Sequence, residues 1–128
     1  MKTSVLIDSC GWVDYFSGGP LAGKYAPYVE DATPATHFTP SIVLYEVHKR
    51  IKSILGEEQA LTVVARMISN TAIVDLDREL ALDAAEISIK FGLAMADSIV
   101  KATAEKFGAT VVTGDKHFKG LEGVILVG

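Results

Sequence analysis

Cysteine is almost missing: Cys10 is the only one in 128 residues. A lone thiol forms no internal disulfide and no zinc site, which suits a reducing compartment, and Cys10 reads as a small buried apolar residue. Long hydrophobic runs are missing too. Although 49% of the residues are hydrophobic, no window reaches the length of a membrane span. The opening Met1-Lys2-Thr3 has neither the long apolar core nor the small-residue cleavage site of a secretory signal. Together these predict a soluble, cytoplasmic protein with no membrane partner. There is no internal repeat, low-complexity tract or linker, so residues 1–128 read as one domain, large enough to bury its own core. Positive charge is not in excess: the net charge of −4 offers no general field for nucleic acid. If four of the sixteen acids belonged to one metal site, the remaining twelve would balance the twelve Lys and Arg, and bound cations would reverse the local sign.

What is present alternates between strands and helices. The run Thr3-Ser4-Val5-Leu6-Ile7 reads as a buried strand whose carboxyl end presents Asp8. Ser9 to Ser17 follows as a helix capped by Asp8 or Ser9, then a less regular helix from Leu21 to Ala32 that Pro27 would kink or break. A short strand is expected between Pro34 and Pro40. Apolar residues at helical spacing mark Ser41 to Leu55 and Glu57 to Asn70, the second with Ala60, Leu61, Val64, Met67 and Ile68 as its stripe. Thr71 to Val74 reads as a strand. Asp77 caps a helix to Phe91, and a small-residue helix begins at Met95 and closes at Gly108. Strands at Ala109–Thr113 and Val124–Val127 complete a three-layer α/β/α sandwich around a mostly parallel sheet.

Ligands of such sheets collect beyond the carboxyl ends of the strands. Four acids stand where that region could gather them: Asp8 after the first strand, Glu46 on a helix, Asp97 near a helix start, and Asp115 after Val111-Val112-Thr113-Gly114. Each has a plainer reading. Asp8 would cap a helix, Glu46 would pair with Lys49 or Arg50, Asp97 with Lys101, and Asp115 would serve a turn. Taken together, hard oxygen donors without His or Cys pairs suit magnesium or manganese. The matching chemistry is attack of water on a phosphodiester with an ion activating the water. His37, His48 and His117 show no metal-ligand spacing and are expected to be structural or exposed, with His117 close enough to Asp115 to touch substrate.

The ordered set Asp8-Ser9 before Trp12-Val13-Asp14-Tyr15-Phe16, Ser41-Ile42-Val43-Leu44-Tyr45-Glu46, Ala96-Asp97-Ser98-Ile99-Val100-Lys101, and Val111-Val112-Thr113-Gly114-Asp115-Lys116-His117-Phe118 resembles the PIN-domain ribonucleases, and among them the VapC toxins of prokaryotic toxin–antitoxin pairs. The resemblance spans nearly the whole chain. It implies a magnesium- or manganese-dependent endoribonuclease, usually a homodimer, held inactive by a VapB-type antitoxin. By position, Asp8, Glu46, Asp97 and Asp115 would be the catalytic carboxylates, with Asp8, Asp97 and Asp115 on the metal and Thr113 and Ser9 supporting them. Gly114 departs from the pattern, since the family often has Arg or Asn there.

A carboxylate pocket admits single-stranded or loop RNA more easily than a duplex. Lys49, Arg50, Lys52, Lys116, His117 and Lys119 could border it and hold flanking phosphates. Exposed apolar surface around Val63, Val64, Met67 and Ile68 argues for the homodimer. Two rivals read differently. A phosphatase with an aspartate nucleophile wants a second Asp two residues after the first, where this chain has Cys10, and a receiver domain wants an acidic pair that is absent. A non-catalytic module whose acidic pocket holds a metal or a partner's basic side chain remains the alternative function.

Overall fold

The computed structural model describes residues 3–128. Met1 and Lys2, which carry part of the expectation about a leader, lie outside them. The chain runs β1 (Val5–Ile7), α1 (Ser9–Ser17), α2 (Ala22–Glu30), β2 (Phe38–Pro40), α3 (Ser41–Leu55), α4 (Glu57–Asn70), β3 (Ala72–Val74), α5 (Arg78–Phe91), α6 (Met95–Phe107), β4 (Thr110–Thr113), a short 3-10 helix (Lys116–Phe118) and β5 (Val124–Leu126).

Every strand pairing is parallel: β1 with β4, β4 with β5, and β2 with β3. The two groups meet at a narrow seam, a single parallel bridge from Val5 to His37, beside which the Val5 N–H donates to the Thr36 carbonyl at 2.8 Å. Side by side the strands follow the order β3-β2-β1-β4-β5. Right-handed crossovers over that order place α1 to α4 on one face and α5 and α6 on the other, the expected three layers. Among the described residues no helix is long and apolar enough to cross a membrane.

The helix ends follow local chemistry. Asp8 starts α1 by accepting the Ser9 N–H at 2.8 Å, and Asp77 starts α5 by accepting the Leu80 N–H at 2.8 Å. Pro27 does not break α2, which continues through it to Glu30. The strand expected across Pro34–Pro40 is only half there. Residues 34–36 form a turn, with the Thr36 and His37 N–H groups both donating to the Thr33 carbonyl, and extended pairing begins at His37.

The main core gathers Leu6, Ile7, Trp12, Val43, Val47, Ile51, Met67, Val111 and Val112. A smaller one under α5 and α6 holds Leu80, Ala84, Ile87, Leu93, Ile99 and Ala102. On α4 the buried residues are Ala60, Val63 and Met67, whereas Leu61 and Ile68 face solvent. Val63 and Met67 are thus core rather than the surface that a dimer would cover. The apolar surface that does remain open includes Ile54, Leu61, Ile68, Leu82, Ile89 and Met95.

Candidate active site

The strand order turns back at β1, where the chain leaves by β2 on one side and returns by β4 on the other. The carboxyl ends of β1 and β4 therefore splay apart and leave a crevice above them. Asp8 stands at the end of β1 and Asp115 two residues beyond β4. Glu46 reaches the crevice from the second turn of α3 and Asp97 from the first turn of α6. All four line one cleft of about 330 Å³, together with Ser9, Cys10, Asp14, Leu21, Tyr25, Arg50 and Gly114.

Asp8 is buried and both of its oxygens are held. One accepts the Ser9 N–H, and the other accepts the Thr113 hydroxyl at 2.9 Å. Thr113 Oγ1 in turn accepts the Asp115 N–H at 3.0 Å. One threonine therefore ties the two carboxylate-bearing strand ends together. Asp115 caps the 3-10 helix by accepting the His117 N–H at 2.9 Å, and Phe118, fully buried, pins that turn to the core.

The plainer roles divide. Asp8 does cap α1 and Asp115 does serve its turn, while both still face the cleft. Lys101 pairs with Glu105 at 3.0 Å, not with Asp97. Among the described residues no Lys or Arg pairs with any of the four acids. Burial raises the carboxyl pKa of Asp8. Glu46 is also raised, first by burial and then by the charge of Asp8, against weaker opposing pulls from Ser9 and Arg50. Asp97 is pushed up to about 7 by burial first and by the neighbouring Asp115 and Asp8 charges next. Buried and half-buried acids that repel one another, with Arg50 and His117 as the opposing charges, concentrate negative charge in the cleft.

That donor set fits a hard divalent cation, which takes oxygen ligands and neutralises such a field. The tightest grouping adds a residue for which spacing gave no signal. Ligand atoms of Asp97, Asp115 and His117 lie within 4.8 Å of one another. His37, in contrast, is buried between the Thr36 hydroxyl and the Tyr28 carbonyl, the structural role expected of it.

Beside Asp8 the cleft is walled by Cys10, which is half-buried rather than a core residue, and by Tyr25, for which the chain's pattern gave no role. Cys10 Sγ lies 3.4 Å from the Tyr25 hydroxyl and 3.6 Å from Thr113 Oγ1. Of the basic residues expected at the rim, Arg50 lines the cleft, whereas Lys52 turns to Glu57 and Lys49 lies over the Tyr45 ring.

The sequence matches the profile of the PIN domain over residues 5–124. Among curated protein sequences none matches. Among solved structures, a toxin–antitoxin complex from Klebsiella pneumoniae superposes with a TM-score of 0.78 at 22% identity, covering 95% of this chain and 96% of that one. VapC20 of Mycobacterium tuberculosis, a sarcin–ricin loop cleaving toxin, gives 0.80 at 17% identity over 98% and 100% of the two chains. A DNA-bound VapBC from Salmonella typhimurium gives 0.73 at 19% over 98% and 97%. At these identities the likeness is one of fold.

Proposed function

This chain belongs to the PIN-domain family, and we propose that it is a metal-dependent endoribonuclease, the toxin of a VapBC-type toxin–antitoxin pair. The observation that carries the reading is the convergence of Asp8, Glu46, Asp97 and Asp115 on one cleft at the turning point of the sheet, with no Lys or Arg paired to them among the described residues.

Asp8, Asp97 and Asp115 would hold magnesium or manganese, which supplies activation of a water and neutralisation of charge on the phosphodiester when bound. The remaining roles belong to the chain. Ser9 N–H and Thr113 Oγ1 fix the two oxygens of Asp8, so that its carboxylate meets its ligand without reorganising. Glu46, with a raised affinity for protons, accepts the proton of the attacking water. Arg50 at the rim holds a flanking phosphate of the substrate. The cleft, open to solvent, takes single-stranded or loop RNA; the Mycobacterium tuberculosis relative is itself a sarcin–ricin loop cleaving toxin.

Because the Klebsiella and Salmonella relatives are toxin–antitoxin assemblies, the partner expected here is a VapB-type antitoxin. A basic side chain inserted from it would satisfy the acids and exclude the ion. A complex whose cleft stays open and metal-loaded would contradict that mode of inhibition. The test of the activity is cleavage of a fluorescent single-stranded RNA by the purified chain. Cleavage should appear with added manganese or magnesium and vanish with chelator. Metal binding without cleavage of any RNA would return the protein to the alternative, a binding module with an acidic pocket.

A further inference from the structure

We propose that His117 supplies a nitrogen ligand, through Nδ1, to the ion held by Asp97 and Asp115, and that the site therefore prefers manganese and other transition-metal ions to magnesium. The proposal rests on reading the carboxylate cleft as a metal site. It goes beyond that reading by adding a ligand of a different chemical kind.

The geometry is short-range, and the backbone fixes the point from which the ring reaches the acids. His117 Nδ1 stands 2.8 Å from Asp115 Oδ1 and 3.7 Å from Asp97 Oδ2. Ligands about 2.1 Å from an octahedral ion sit roughly 3 Å from their nearest neighbours and about 4.2 Å from the ligand opposite. These two separations therefore fall within the range for donors sharing one ion. The imidazole is carried there by the 3-10 turn, whose Asp115 cap accepts the His117 N–H and whose Phe118 is buried. Only the two side-chain torsions of His117 remain to be frozen on binding.

Exposure supports the same role. The His117 side chain is 80% exposed while those of Asp97 and Asp115 are 16% and 28% exposed. The ring thus closes the solvent side of a pair of acids and leaves the rest of the coordination sphere to water and substrate. Magnesium takes oxygen almost exclusively, whereas imidazole favours the transition series. A single nitrogen among oxygens is enough to separate the two.

The rival role for the ring is that of a counter-ion, resting against the carboxylates until metal displaces it. The two roles differ in sign. Removing a ligand weakens metal binding, while removing a competitor strengthens it for every ion. The experiment is calorimetric titration of the metal-free chain with manganese and with magnesium, for wild type, His117→Ala and His117→Gln, together with the electron spin echo of the manganese-loaded proteins.

The wild type should show nitrogen modulation of the manganese echo. His117→Ala should lose it and bind manganese roughly tenfold more weakly, the scale of losing one element of a metal site, with magnesium changed about twofold or less. His117→Gln, which restores an oxygen donor, should also lack the modulation. Unchanged or tighter manganese binding by both variants, an equal loss for both ions, or no modulation in wild type would overturn the proposal while leaving the carboxylate site intact. A wild type that binds neither ion would overturn both.

Discussion

At Gly114 the backbone between β4 and Asp115 presses against α2. A Cβ built there would meet the Tyr25 hydroxyl at 3.0 Å and both Leu21 Cδ1 and the Val127 carbonyl at 3.4 Å. Tyr25 is fully buried and cannot yield easily, so the position favours a residue without a Cβ. Gly114→Ala should cost about 1–3 kcal/mol by overpacking, read from denaturant midpoints. Combining it with Tyr25→Phe should cost less than the sum of the two single changes, because the clashing hydroxyl is gone. Asp97 makes a second prediction, with a definite sign. Its folded-state pKa of about 7 lies above the ordinary 3.8, so between those values the native state holds a proton that the unfolded chain has lost. Stability contributed by the protonated form is therefore lost as pH rises through that window and levels off above it. Burial raises Asp8 and Glu46 in the same sense. Melting of the metal-free protein from about pH 5 to about pH 8 should show wild type losing more stability than Asp97→Asn. Parallel curves would contradict the assignment.

Among the elements, α5 separates folding from chemistry. The Asp77 carboxylate accepts the Leu80 N–H outside the cleft, so Asp77→Ala should cost about 1 kcal/mol. RNA cleavage per folded molecule should stay unchanged, as measured by denaturation beside a cleavage assay. Caps of this kind are local, which is why the starts of α1 and α5 were legible in the sequence, while α3 and α4, which have no side-chain cap, are parted by Gly56. The acids after β1 and β4 were legible for a similar reason, since an apolar run that stops at a carboxylate marks a strand end. What depended on distant packing was not. Pro34 to Thr36 turn because Thr33 collects two N–H groups, a choice settled by the docking of His37 beside Val5. On α4 the apolar residues extend past the face that α3 covers, and packing on α3 decides that Val63 is buried and Leu61 is not. The Cys10–Tyr25 wall likewise forms where α1 and α2 meet the end of β4. No spacing in the chain announces it.

For the whole molecule, the open apolar residues Ile54, Leu61 and Ile68 on α3 and α4 form one candidate contact surface, and Leu82, Ile89 and Met95 on α5 and α6 a second on the opposite face. We expect a homodimer, and sedimentation that finds only monomer at micromolar concentration would count against it. The fold brings four carboxylates together at the turning point of a parallel sheet, and the proposed nuclease role requires that they bind an ion there. Asp8→Asn separates that claim from capping alone, because Asn caps a helix about as well as Asp but replaces a charged oxygen donor with a neutral amide. The decisive measurement is the rate of RNA cleavage by Asp8→Asn against wild type at saturating manganese, on protein whose metal-free melting temperature is equal to or above that of wild type. Cleavage should collapse by at least about a hundredfold, in the range lost when a transition-state-stabilising group is removed, while the variant stays folded. A variant that cuts RNA at nearly the wild-type rate would contradict it.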